Sequence, residues 1–174
     1  MGIENDAKWQ EYGRQNRAHL EQKNYGYYRN NLYNMAMLVK KENKHLDAIR
    51  LLAWVCFWDL TGCSNQFNYN TFFQFTFESL FPYERKRLWI APGVIRELTA
   101  CQRKLGITDE QLREHIITDL DKITAPVQFF TYTEVADIIF WERDGEADKL
   151  ATVYDVAKAR FNPAQPNILG QQYG

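Results

Sequence analysis

Residues 45–62, HLDAIRLLAWVCFWDLTG, decide how the rest of the chain is read. At about 100° per residue, Ile49, Leu51, Leu52, Ala53, Trp54, Val55, Cys56, Phe57 and Trp58 point to every side of a helix. Only Asp47, Arg50 and Asp59 interrupt them. A helix that is apolar all round is a buried one. A strand is the competing reading of such a run, but the pattern reaches back through Leu46 without turn residues. The unbroken apolar run from Leu51 to Trp58 is far short of the roughly 20 residues of a membrane span. The stretch predicts a central core helix, ended by Thr61-Gly62.

Immediately upstream, Tyr28, Leu32, Met35, Ala36 and Val39 form the i, i+4, i+7, i+8, i+11 stripe of an amphipathic helix over 27–42. Lys40 and Lys41 in its last turn complement the helix dipole, and Asn43 is suited to a left-handed C-terminal cap. The core helix begins within a few residues, so 27–62 reads as a tight antiparallel pair. Further upstream, 4–23 is polar with Trp9, Tyr12 and Leu20 as thin apolar anchors. It predicts a surface helix interrupted or weakened at Gly13 and broken at Tyr25-Gly26.

The spacing Leu32, Met35-Ala36, Val39, then Ala48, Leu52 and Val55 resembles a tetratricopeptide hairpin, with small residues at Ala36 and Ala48 allowing close helix approach. The chain departs from that pattern at Asn43, where the turn usually has glycine, and near Val55, where a smaller residue is usual. The string NMAMLVKKENKHLDAIRLL…DLTG followed by WIAPGVI is similar to uncharacterised helical proteins of Gram-positive bacteria and their prophages. That resemblance covers most of the chain and implies no known activity.

Downstream, 63–83 concentrates Phe67, Tyr69, Phe72, Phe73, Phe75, Phe77, Phe81 and Tyr83 around a single charge, Glu78. Phe67, Tyr69, Phe73, Phe75 and Phe77 alternate like a strand, whereas Phe73, Phe77, Leu80 and Phe81 fit a helical face; a short helix at 71–80 is the preferred reading. Ala91-Pro92 starts the next helix, with Pro92 at its first position and Ile95, Leu98, Cys101 and Leu105 as its buried stripe. Gly106 suits a left-handed cap, and Thr108 with Gln111 forms a capping box for a helix over 109–122 that buries Leu112, Ile116 and Leu120. Thr131 or Thr133 caps a further helix through Val135, Ile138, Ile139 and Trp141. Asp144-Gly145 turns it into 147–161. The predicted fold is all-α: six or seven helices in stacked antiparallel hairpins (27–62, 92–122, 133–161), one domain over 1–161 and a mobile tail over 162–174.

Composition agrees with a globular chain: 174 residues, 45% hydrophobic and 25% charged, with a net charge of −1. These values place it away from disordered sequences. Residues 1–105 carry 15 Lys/Arg against 10 Asp/Glu, and 106–174 carry 6 against 12. That is a polarity and not the basic surplus of a nucleic-acid binder. Three cysteines without CxxC spacing suit a reducing compartment. Met1 is followed by GIENDAKWQ, which lacks a charged-then-apolar leader. The expected location is cytoplasmic, with no membrane association.

Sites for chemistry are sparse. His19, His45 and His115 show no metal-ligand spacing; His115 and Asp119, four apart, read as a structural or solvated pair. Cys63 lacks an assignable base. Asp119/Asp121 and Asp59/Glu142 are carboxylate pairs of the type that binds Mg²⁺ in nucleases, without a feature that fixes their geometry. No catalytic residue, metal or cofactor is expected, although a metal-dependent nuclease or other hydrolase stands as the third function class. The leading expectation is a protein-binding module, with Trp58, Asp59, Phe67, Tyr69, Tyr83 and Trp89 as partner-facing residues, because aromatics are enriched at interfaces; self-association is one form of it. A phage-encoded modulator of a host protein is the form the prophage resemblance implies. The rival class is a nucleic-acid-binding regulator using Arg85, Lys86, Arg87, Arg96, Arg103 and Lys104, since cations contact phosphate and neighbouring aromatics stack on bases. Finally, Ala53-x-x-x-Phe57-Trp58-Asp59 and Ala136-x-x-x-Phe140-Trp141-Glu142 echo one another. Both put an acid in a last helical turn, where the dipole disfavours it, so each acid should be exposed or paired with a cation.

Overall fold

The apolar stretch at 45–59 forms a helix, and four others are laid around it. The computed structural model describes residues 6–22, 24–60, 90–120 and 130–160. Within them lie seven helices and no strand: α1 (Ala7–Glu21), α2 (Tyr25–Lys41), α3 (His45–Asp59), α4 (Pro92–Leu105), α5 (Asp109–Leu120), α6 (Tyr132–Asp144) and α7 (Ala147–Arg160). The fold is all-α. Helix α3 packs against α2, α4, α5 and α6, while α1 lies chiefly on α2 and α7 on α6. Ala48, Ile49, Leu51, Leu52, Ala53, Val55, Cys56, Phe57 and Trp58 are all buried. The solvent strip of α3 is confined to His45, Leu46, Asp47, Arg50 and Trp54, with Leu46 43% exposed.

All three hairpins close through the same local chemistry. Asn43, Gly106 and Gly145 adopt left-handed φ values of 61°, 66° and 70°. One residue beyond each, a backbone N–H reaches back across the turn: Lys44 donates to the Val39 carbonyl, Ile107 to that of Gln102 and Glu146 to that of Trp141, at 2.9, 3.4 and 2.9 Å. This bond satisfies a carbonyl the helix end would leave open. The helices that follow are started by equally local means. Thr108 accepts from the Gln111 N–H at 3.1 Å while Gln111 accepts from the Thr108 N–H at 2.9 Å. Thr131 and Glu134 make the same reciprocal pair, which resolves the choice between Thr131 and Thr133. Pro92 opens α4.

Several expectations are corrected. Helix α1 runs through Gly13 without a break. The interruption falls between Glu21 and Tyr25, so Tyr25 and Gly26 belong to the first turn of α2. Leu105 is 39% exposed rather than buried, because the α4 stripe is completed by Val94 instead. The short helix expected at 71–80, the strand alternative over 67–77, Phe67, Tyr69, Tyr83, Arg85, Lys86, Arg87 and Trp89, and the tail over 162–174 lie outside the described residues. No described helix is long and apolar enough to cross a membrane.

Candidate functional site

The end of α3 is where the aromatic and charged side chains of the first hairpin converge. Asp59 is its last residue, and the carboxylate meets Arg29 from α2 in a two-pronged pair: Nε donates to Oδ1 at 2.7 Å and Nη2 to Oδ2 at 3.1 Å. Oδ2 also accepts the Ala91 N–H at 3.1 Å, at the start of α4. The carboxylate thus opposes the dipole of its own helix but complements that of α4. Arg29 in turn lies over the Tyr33 ring, 5.9 Å from its centre. Trp58 stacks on Tyr25 with ring centres 5.2 Å apart and takes the edge of Tyr28 at 5.3 Å.

This cluster is interior. Trp58 is 2% exposed and Asp59 1%, so neither offers a surface to a partner. The reason is that the N-terminal turn of α2 folds its aromatic residues and Arg29 over the end of α3. The expectation that the acid would be paired is met in full at Asp59. Burial pushes the Asp59 carboxyl above its ordinary value, opposed by the Arg29 guanidinium and the Ala91 N–H. Burial also pushes the Cys56 thiol well up, aided by the Asp59 charge, and raises Cys101. Both are therefore poor nucleophiles.

The acid of α5 is a second junction. Asp119 is buried; its carboxylate accepts from Arg50 Nε at 3.4 Å and its backbone carbonyl from Trp54 Nε1 at 3.2 Å. Its partner is thus on α3, and the reading of His115 with Asp119 as a structural pair gives way to Asp119 as a tie between α5 and α3. Among the described residues no three His, Cys, Asp or Glu side chains gather where a metal ion could be held.

An open groove of about 620 Å³ lies where the α4–α5 turn meets the end of α6, lined by Thr99, Gln102, Arg103, Gly106, Ile107, Arg143 and Asp144. Arg143 is the most heavily bonded residue of the lining. Nη1 and Nη2 donate to the two oxygens of Asp109 at 2.9 and 3.0 Å, and Nε and Nη2 to those of Asp144 at 2.7 and 3.1 Å. The guanidinium also lies 4.9 Å from the centre of the Phe140 ring. Gln102 Nε2 donates to Asp109 at 2.8 Å, closing the network. No protein family, curated protein or solved structure matches the chain. The groove must therefore be read from its own chemistry.

Arg143 is spent on two aspartates, whereas Arg103 on the rim is exposed. Arg96 and Lys104, on the same helix, are exposed as well, and no ion pair within the described residues holds any of the three. Arg143 was not singled out by sequence. The signal was present, since a cation in the last turn of one helix and Asp109 in the first turn of another are each favoured by the dipole.

The Arg143 and Gln102 contacts hold the Asp109 carboxyl down at about 2. A carboxyl titrating below its unfolded value of about 3.9 adds stability that is present above that value and lost as pH falls through about 2. Asp109 is more than half exposed, so solvent screening limits the gain to roughly 0.2–1 kcal/mol. Carbon-detected NMR titration is expected to place its midpoint near 2, and R143Q to return it towards the ordinary range. An unchanged midpoint in R143Q would show that the pair does not persist in solution.

Proposed function

We propose that the chain is a non-enzymatic, protein-binding module of stacked helical hairpins, tetratricopeptide-like in its first pair. The observation that carries this reading is the groove at the α4–α5 turn, which offers a partner a mixed surface: the Thr99 hydroxyl oxygen as an acceptor (its proton goes to the Ile95 carbonyl), the Ile107 side chain and the uncommitted Arg103 guanidinium. Helical hairpins stacked side by side form such grooves for extended or helical peptides. Arg143, held by Asp109 and Asp144, fixes part of the lining, and a preorganised surface loses less entropy on binding. The prophage resemblance extends the proposal to a phage-encoded modulator of a host protein. Capture from a host-cell extract with the full chain as bait tests it. A partner retained by the wild type and lost at least tenfold with R103E is the expected result; equal recovery by both removes the groove from the reading. Light scattering across concentration settles the self-association form, which a strict monomer would exclude.

A second reading, nucleic-acid binding, is favoured by one observation: Arg96, Arg103 and Lys104 all stand exposed on α4. A salt-dependent shift with DNA or RNA that vanishes in R96E/R103E/K104E would establish it, and no shift at low salt would end it.

A further inference from the structure

Helix α1 is held in an unusual way. Its sequence, AKWQEYGRQNRAHLE, presents Trp9, Tyr12 and Asn16 at i, i+3, i+7, one face of a helix. Trp9 and Tyr12 are partly buried against the core. Asn16 is the one residue of α1 that is buried, at 8% exposure, and it is polar. Its Nδ2 donates only to the Met35 sulfur, at 3.4 Å, and its buried Oδ1 has no hydrogen-bond partner. Thioether sulfur is a weak acceptor, and an orphaned buried amide oxygen is costly.

Two further polar or aromatic contacts join α1 to α2. Asn31 Nδ2 donates to Gln15 Oε1 at 3.1 Å, and His19 stacks on Tyr27 with ring centres 5.5 Å apart. Tyr27 is nevertheless 65% exposed, and the His19 Nδ1 is a second buried atom without a partner. The pairings run antiparallel, 19 with 27 and 15 with 31. Gly13 sits mid-helix with open space where a side chain would project, so it lowers helix propensity without any packing return. Beneath these residues α2 offers Met35 and Asn31, both buried by α1 and its neighbours. A face that takes apolar side chains at the first two positions of an i, i+3, i+7 register is given a mismatched amide at the third.

We propose that α1 is a displaceable strap occupying a helix-docking face of α2, and that the face takes an amphipathic helix of a partner protein carrying an aliphatic residue where α1 has Asn16. Met35 is an adaptable apolar contact for that residue. This surface is separate from the Arg103 groove and rests on the protein-binding reading only in naming a protein as the source of the helix. Partner binding and strap closure compete, so anything that tightens α1 weakens the apparent affinity in proportion to the lost open population.

The test uses the full chain and a synthetic peptide of residues 6–22 bearing the Asn16→Leu change, with two strap-tightening variants of the protein. Amide hydrogen exchange is expected to show α1 opening at least about a hundredfold more often than α3, as a local event. G13A should slow that opening about fivefold through helix propensity alone, and N16L at least about tenfold by removing the orphaned amide. The peptide should bind wild type saturably and bind G13A and N16L more weakly by those same factors. Exchange of α1 in step with α3, absence of peptide binding, or equal affinity for all three proteins would each overturn the proposal. None of these readouts uses a cellular partner, so they stand or fall apart from the capture experiment on the Arg103 groove.

Discussion

R29A is expected to destabilise the protein by about 3–5 kcal/mol at neutral pH, the range found when one partner of a buried ion pair is removed. The Asp59 side chain is wholly buried and Arg29 is its cationic partner, 12% exposed. Without the guanidinium the carboxylate keeps only the Ala91 N–H among its described partners. The pH dependence follows from the direction of the shift. Asp59 already titrates above its ordinary value of 3.8 because burial outweighs its partners, and losing Arg29 drives it higher. A carboxyl raised in the folded state contributes stability that is fully present below the unfolded value and is lost as pH climbs through the raised one. The defect should therefore be small in acid, where Asp59 is protonated, and grow towards neutrality. Urea titrations of wild type and R29A at acidic and neutral pH read this directly. A constant difference across pH would mean that Asp59 is not the group responsible. Removing both charges with R29M/D59L should recover part of the loss, since the unpaired charge carries much of it.

L52A is the second large effect. Leu52 is completely buried on α3, and truncating such a side chain costs the lost transfer energy plus a cavity, about 2–5 kcal/mol. Domains of ordinary stability hold only about 5–15 kcal/mol in total. The matched control is L46A, six residues earlier on the same helix and 43% exposed, where a change within about 0.5 kcal/mol is expected. Chemical denaturation of the two variants separates a core helix from a merely hydrophobic one. Similar midpoints for both would contradict the placement of α3.

The helices and their turns were legible because their determinants are local. Asn43, Gly106, Thr108 and Gly145 act through their own backbone and that of neighbours within a few residues, so sequence is enough to place them. The burial of α3 was legible for a different reason: its run of apolar side chains leaves only a narrow strip for water. What sequence could not supply was pairing across the chain. Asp59 was expected to need a cation, yet nothing local selects Arg29, thirty residues upstream, over Arg50 or Lys40. The same ignorance placed Trp58 and Asp59 on a partner surface, since their cover comes from the first turns of α2. The groove was missed because Arg103 and Ile107 belong to one hairpin and Arg143 to another, and only the packing of α4 and α5 against α6 brings them together.

One carboxylate, that of Asp59, grips both the departing end of α3 and the Ala91 amide where the chain returns. Arg29 of α2 closes on both oxygens of the same carboxylate. Three helices are thus latched by one charged group, so the three joints cannot loosen independently. A change at Arg29, Asp59 or the Ala91 amide is felt at the other two, and the junction responds to a single protonation event.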